Sequence, residues 1–418
     1  MRRIVITGLG VVSPVGSDRE EFWANLTAGR SGIGSVTLFD ASTFPVRIGG
    51  EVKHLDMETM HRTFPESITI HDRKVLLALA AAQQAVTDSG LETGLLKKAL
   101  LQCGIGLEHF QLDDLTTFIN HSSNGSMTDL SYKEIDKGLW QTPLDRTAVI
   151  LGQKWGFTAG RVTNCSACAA GAQVIGQAWQ MLSEGSAEIA LAGATDSMLN
   201  SLGLGGFGLL RVLTDENDTP QQACRPFDAS RKGTVLGEGA AFMILETLEH
   251  ALGRNAKIYA EIIGYGSSMD ACSPTDPDIN GTGAAWSMQK AIRSAGILPD
   301  QIDCVNAHGT GTVKNDIAET TAIKRVLGKH AYGIPVHSVK SMTGHLIAAS
   351  GSVEAIAAIL TIYYNLVPPT INLTRPDKEC DLDYVPHHVR KFSGNIVLSN
   401  SFGFGGQNAT LIFRRFLQ

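Results

Sequence analysis

The chain has 418 residues, 43% of them hydrophobic and 18% charged, enough to bury a sizeable core in one large duplicated unit or in two or three smaller ones. Its formal net charge of −6, with no run of five or more Lys/Arg, leaves no electrostatic footprint for a nucleic-acid backbone. No stretch offers ~18 uninterrupted apolar residues, so no membrane span is expected, and seven cysteines, an odd number spread along the chain, point to reduced thiols in the cytoplasm.

The first segment, MRRIVITGLGVVSPVGS, has the arginines and apolar run of a secretory leader. Gly8, Gly10 and Pro14 interrupt that run early, and its β-branched residues predict the first strand of the fold instead. Helices are expected at Arg73 to Ser89, Ala169 to Leu182, Ala284 to Ala295, Asp316 to Leu327 and Val353 to Tyr364. Short β-branched runs ending in glycines lie between them, the pattern of an α/β layered protein. Residues 107 to 146 are polar and weakly periodic, and are expected to form an excursion or cap over the core.

A repeat emerges when the two parts of the chain are laid side by side. RRIVITGLGVVSP, near residue 2, has the character of KIYAEIIGYGSS, near 257, and AEIALAGATDS, near 187, that of NIVLSNSFGFGG, near 395. A duplicated fold follows, with halves at 1–255 and 256–418. Neither Gly-x-Gly continues as a dinucleotide-binding fingerprint, because the third glycine is missing.

RVTNCSACAAGAQVIGQ, residues 161 to 177, places Cys165 and Cys168 in a C-x-x-C spacing. A structural metal site wants four soft ligands and no second C-x-x-C exists, which argues against metal. A helix starting near Cys168 would favour thiolate over thiol and point the sulfur outward as a nucleophile, with Cys165 a small buried residue on the incoming strand. A redox pair also sits at a helix start, and a buried structural thiol is the commoner fate of such a cysteine taken alone. VNAHGTGT places His308 after a strand-like run, and SVKSMTGH carries Lys340 and His345 ahead of another helix start. Two histidines beside Gly/Thr turns, together with a helix-start cysteine, make a constellation.

NCSACAAGA, RPFDASRKGTVLGEGAA, NAHGTGT, SVKSMTGHL and NSFGFGGQN, in this order and spacing, resemble the β-ketoacyl-acyl-carrier-protein synthases, synthase II type, over essentially the whole chain. The resemblance implies the thiolase fold, two related halves stacked as an α-β-α-β-α sandwich. It implies a decarboxylating Claisen condensation in which Cys168 carries the acyl group and His308 and His345 hold the enolate oxygen. Lys340 is then expected to pair with Glu354 and orient His345. Phe404 would serve the second oxyanion site and gate the entrance, Thr310 and Thr312 would bind the pantetheine arm, and Arg211 would meet the carrier.

No cofactor or metal is implied beyond the carrier's own phosphopantetheine. The expected partners are an acyl carrier protein and a second subunit, either a copy of this chain or a homologue lacking the cysteine. Two other readings remain at this stage: a non-catalytic partner subunit of the chain-length-factor kind, against which Cys168 argues, and a cytosolic redox protein using Cys165 and Cys168. Within the synthase reading, fatty-acid elongation competes with a type II polyketide or polyene pathway.

Overall fold

A computed structural model gives the fold and describes residues 2–107 and 143–417. The excursion expected at 107–146 therefore falls mostly outside the described residues. Ten strands form one sheet: β1 (Ile4–Val12), β2 (Leu100–Ile105), β3 (Gly160–Asn164), β4 (Ile189–Ser197), β5 (Glu238–Thr247), β6 (Ala260–Met269), β7 (Cys304–Asn306), β8 (Val336–His337), β9 (Ile396–Gly403) and β10 (Gln407–Arg414). Their order across the sheet is β8-β7-β9-β10-β6-β1-β5-β4-β2-β3.

That order is a palindrome about the β1–β6 seam. Moving outward on either side, the strands come in the order first, fifth, fourth, second, third of their own set of five. The directions match as well. β2 pairs parallel with β3 and β4, and β7 parallel with β8 and β9. The inner pairs β4–β5, β5–β1, β9–β10 and β10–β6 are all antiparallel.

Helices complete the layers, among them α1 (Arg73–Ser89), α2 (Ala170–Ser183), α3 (Ser201–Leu209), α4 (Thr282–Ala295), α5 (Val313–Leu327) and α6 (Ser350–Tyr364). One apolar core surrounds α2 and α6 between the two halves of the sheet. A second lies under α1, and a third under α4 and α5. The result is the α-β-α-β-α sandwich. α6 is buried on every side down to Ile362, and the stretch Ile347–Tyr364, apolar and long enough to cross a membrane by composition, is 89% buried inside the protein. A helix that is apolar all round belongs in a core.

The repeated Gly-x-Gly has a packing role. A Cβ on Gly8 or Gly10 of β1 would lie 2.3 Å from the Ala85 carbonyl or 1.9 Å from that of Ala81, both on α1. On β6, Gly264 and Gly266 stand in the same relation to Ala291 and Ser287 of α4, at 2.5 and 2.1 Å. Each half thus lets its outer helix lie directly on the strand backbone, which no side chain would allow. α1 itself starts at Asp72, whose carboxylate accepts the Lys74 N–H at 3.1 Å, and ends at Gly90 with φ +63°.

Candidate active site

β3 ends at Asn164, and four residues later Cys168 sits in a 3-10 turn, Ala167–Ala169, that leads into α2. Ala167 has φ +48°, a left-handed conformation that costs a non-glycine residue of order 1 kcal/mol and throws the next side chain forward at a sharp elbow. Gly171 and Gly351 let α2 and α6 cross at their first turns: a Cβ on either would lie 2.7 Å from Ser352 N or 2.6 Å from Ala172 N. The two halves of the chain therefore meet directly behind the cysteine.

Cys168 lines a cavity of about 420 Å³ together with His308, His345, Phe404, Thr310, Thr312 and Arg211, so the sequence-predicted residues converge on one space. Lys340 and Glu354 lie behind it, buried. Arg211 is exposed at the rim, while Thr310 and Thr312 bond to each other at 2.8 Å. Cys165 is exposed rather than buried, because β3 is the last strand of the sheet and its end faces outward; no disulfide joins it to Cys168.

The protonation of the two histidines follows from what touches them. His308 Nδ1 lies 3.1 Å from the Lys340 ammonium, a group with hydrogens to donate and no lone pair, so Nδ1 accepts and Nε2 carries the proton. His345 Nδ1 accepts the Ile347 N–H at 3.2 Å and faces the Ser350 hydroxyl at 2.9 Å. Because Nδ1 accepts from the Ile347 N–H it bears no hydrogen, so the Ser350 hydroxyl, which itself takes the Leu346 N–H at 3.0 Å, donates to Nδ1, and Nε2 is again the protonated nitrogen. Burial and the Lys340 charge hold both imidazoles well below their ordinary pKa, so both are neutral N–H donors. Their ring centres are 5.2 Å apart, nearly perpendicular. Two donors on one cavity can share one oxygen.

Two expectations need correction. Lys340 orients His308, not His345: its ammonium also donates to the His308 carbonyl at 2.7 Å and pairs with Glu354 Oε1. Its short helix, Lys340–Thr343, ends at Gly344 with φ +71°, which turns the chain so that Lys340 and His345 diverge. The pull of the helix start on the Cys168 thiol also meets an opposing force. Burial pushes the thiol up to about 12, against the pull of Lys340 and of the Phe404 and Cys168 N–H groups.

Those two N–H groups define a second place for negative charge, beside the sulfur. Gly403 makes room for it, since a Cβ there would lie 3.0 Å from Cys168 N. The ring of Phe404 stacks on Phe207 of α3 with centres 6.0 Å apart, and Gly405 and Gly406 behind it have φ of 76° and 74°. Sequence reasoning missed Glu319, a buried carboxylate on α5 that accepts the His308 and Gly309 N–H groups at 2.8 Å each. Burial pushes it up to about 7. The available signal was a pair of acids, Asp316 and Glu319, spaced to share one face of a helix.

Comparisons with known proteins agree with this geometry. The model "Beta-ketoacyl synthase, N-terminal domain" matches residues 1–251, and "Beta-ketoacyl synthase, C-terminal domain" matches residues 259–374. The chain belongs to the β-ketoacyl synthase family. The 3-oxoacyl-[acyl-carrier-protein] synthase 2 of Synechocystis sp. is 42% identical, with 99% of this chain and 98% of that protein covered. Among solved structures, a type II polyketide synthase ketosynthase in complex with its acyl-carrier protein superimposes with a TM-score of 0.87 at 32% identity, over 100% of both chains. The ishigamide ketosynthase/chain length factor does so with a TM-score of 0.87 at 33% identity, over 100% of both chains. The synthase is an acyltransferase, and its reaction is the decarboxylative condensation of a malonyl unit with an enzyme-bound acyl chain, in fatty-acid or polyketide elongation.

Proposed function

We propose that Cys168 carries the acyl chain and that His308 and His345 hold the enolate, in a site assembled from both halves of the chain, 1–255 and 256–418. The observation that carries this reading is the matched tautomer of the two histidines, each with Nδ1 engaged and Nε2–H left for the cavity.

In the first half-reaction the Cys168 sulfur attacks the acyl thioester of the carrier's phosphopantetheine. The acyl C–S bond to pantetheine breaks, and the proton of the thiol ends on the departing pantetheine sulfur. In the second, malonyl-carrier loses its carboxylate as carbon dioxide, and the electron pair of the broken C–C bond becomes an enolate whose oxygen receives two N–H donors. The enolate carbon attacks the Cys168 thioester. The tetrahedral oxyanion meets the N–H groups of Cys168 and Phe404, and its collapse releases the 3-oxoacyl carrier, elongated by two carbons. The freed sulfur takes one proton from solvent. Activation resides in the two thioesters, so the side chains complete the cycle without a resident cofactor.

Thr310 and Thr312 line the path of the pantetheine arm, Phe404 gates it, and Arg211 at the rim meets the acidic carrier. β3, the last strand of the sheet with its outer edge unpaired among the described residues, serves as the seam for a second subunit, either this chain or a homologue. The enzyme works in the cytoplasm, where carrier and malonyl units are made.

Intact-mass detection of acyl loading from a panel of acyl carriers, including unsaturated and β-keto chains, tests the core of this reading and reports the pathway. Loading should vanish in Cys168→Ala and persist in Cys165→Ala. Loading that survives in Cys168→Ala overturns the assignment, and loss in Cys165→Ala with a reversible disulfide in the parent would favour redox chemistry.

A further inference from the structure

Asp196 takes no part in the steps above, yet it is fully buried at the end of β4, a strand of the N-terminal half, and reaches into the C-terminal half. Its Oδ1 accepts the Ser197 N–H at 2.9 Å, and its Oδ2 accepts the Ala348 N–H at 3.1 Å. The fit is close: a Cβ on Gly106 would lie 2.0 Å from that same Oδ2. Ala348 follows Ile347, a β-branched residue held at φ +48°, a left-handed conformation that such side chains adopt only under strain. The Ile347 N–H is the group that donates to His345 Nδ1.

The duplication shows what this contact replaces. In both halves a residue at φ +48°, Ala167 or Ile347, opens a 3-10 turn that runs into a central helix, α2 or α6. The residue after it is Cys168 in one half and Ala348 in the other. The strand that faces the elbow contributes its eighth residue in each case: Gly403 on β9 and Asp196 on β4. Gly403 leaves the Cys168 N–H clear, while Asp196 occupies the N–H of Ala348. A carboxylate at the first turn of a 15-residue helix is also favoured by the helix dipole.

Resting on the roles proposed for Cys168 and His345, we infer that Asp196 is a positioning residue for His345: it clamps the strained Ile347–Ala348 turn so that the Ile347 N–H stays on Nδ1 and the Nε2 proton stays on the cavity side. Asparagine is the same size but carries one acceptor oxygen, so Asp196→Asn sets its NH2 against one of the two N–H groups. The turn loosens, and His345 loses its fixed tautomer.

The test compares three readouts on the full-length enzyme: acyl loading of Cys168 by intact mass, carbon dioxide release from malonyl-carrier as kcat and KM, and thermal unfolding. Asp196→Asn should lower kcat for carbon dioxide release roughly 10- to 100-fold, the usual effect of removing a group that orients a catalytic imidazole or ligand. KM and the acyl-loading rate should stay within about threefold. Equal loss in both half-reactions, or an unchanged kcat in a folded variant, overturns the inference. Asp196→Ser, which keeps an acceptor on a shorter side chain, is used if the asparagine variant does not fold. If neither folds, Asp196 is a folding residue and the inference fails. An unaltered enzyme that releases no carbon dioxide would instead overturn the synthase roles on which this rests.

Discussion

Replacing Lys340 by methionine keeps the length of the side chain and removes the ammonium that serves His308 Nδ1, the His308 carbonyl and Glu354 at once. Without it nothing requires Nδ1 to be the acceptor, and His308 can take the other tautomer. Loss of one oxyanion donor costs roughly 100- to 1000-fold, about 3–4 kcal/mol, so carbon dioxide release from malonyl-carrier should fall by at least about 100-fold. If Lys340 acts through His308, the Lys340→Met/His308→Ala double variant should be no slower than His308→Ala alone, because the second change removes an interaction already lost. Losses that multiply to about 10⁴-fold would refute the link. Stability supplies a second check. With Lys340 present, burial has already pushed Glu354 up to about 7, so the folded chain holds a proton that the unfolded chain releases near 4.5. The stability this group contributes is full below that lower value and declines as pH rises toward 7. In Lys340→Met the carboxyl rises further and the decline continues beyond pH 7. Denaturant unfolding between pH 6 and 8 reads the difference, and parallel curves for the two proteins would contradict it.

Gly403→Ala places a methyl 3.0 Å from Cys168 N and 3.2 Å from Ala169 N, and should slow acyl loading about 100-fold while malonyl decarboxylation suffers less; single-turnover loading at the parent rate would show that this N–H is not used. His337 is fully buried on β8 with neither ring nitrogen hydrogen-bonded among the described residues, and burial lowers it to about 3. Its contribution is therefore intact above the ordinary histidine value of 6.5 and is lost as pH falls toward 3. His337→Leu should gain about 2 kcal/mol relative to the parent between pH 7 and pH 5, and unfolding curves that stay parallel over that interval would disprove the sign. Light scattering of the pure chain at micromolar concentration should give a two-fold dimer, or an inactive lone chain that regains activity with a homologous subunit; an active monomer would sink the role given to β3.

The sequence made the motif residues legible because each motif is a backbone device: an elbow ahead of Cys168, Gly/Thr turns around His308, glycines beside Phe404. Their convergence on one cavity follows from the duplication, itself visible in the paired Gly-x-Gly segments. What could not be read was who holds whom. The family resemblance set Lys340 to orient His345, five residues on, but Gly344 turns the chain between them and Lys340 lies against His308. His345 is held by a backbone N–H and by Ser350, groups whose role depends on the turn at Ile347 and leaves no mark in composition. Cys165 was expected in the interior because a small cysteine on an incoming strand is commonly buried. Its exposure depends on β3 being an edge, a fact of strand order that no local pattern encodes. The same holds for the thiol of Cys168: the helix start argues for ionisation, and the depth of burial outweighs it.

The seam at the centre of the palindrome has a consequence for how the enzyme is made. β1 pairs with β5 on one side, Val12 opposite Ala240, and with β6 on the other, Ile4 opposite Ile262. Both neighbours are synthesised about 230 residues or more after it. At 5–20 residues per second, this nine-residue strand, wholly buried in the finished protein, waits roughly 10 to 50 seconds on the ribosome with both edges open. During that time it can pair with any other exposed edge, including that of a neighbouring nascent chain. Soluble yield should therefore respond to translation speed and chaperone supply more than to substitutions in the finished active site, and the strand at the seam sets the pace at which two halves become one catalyst.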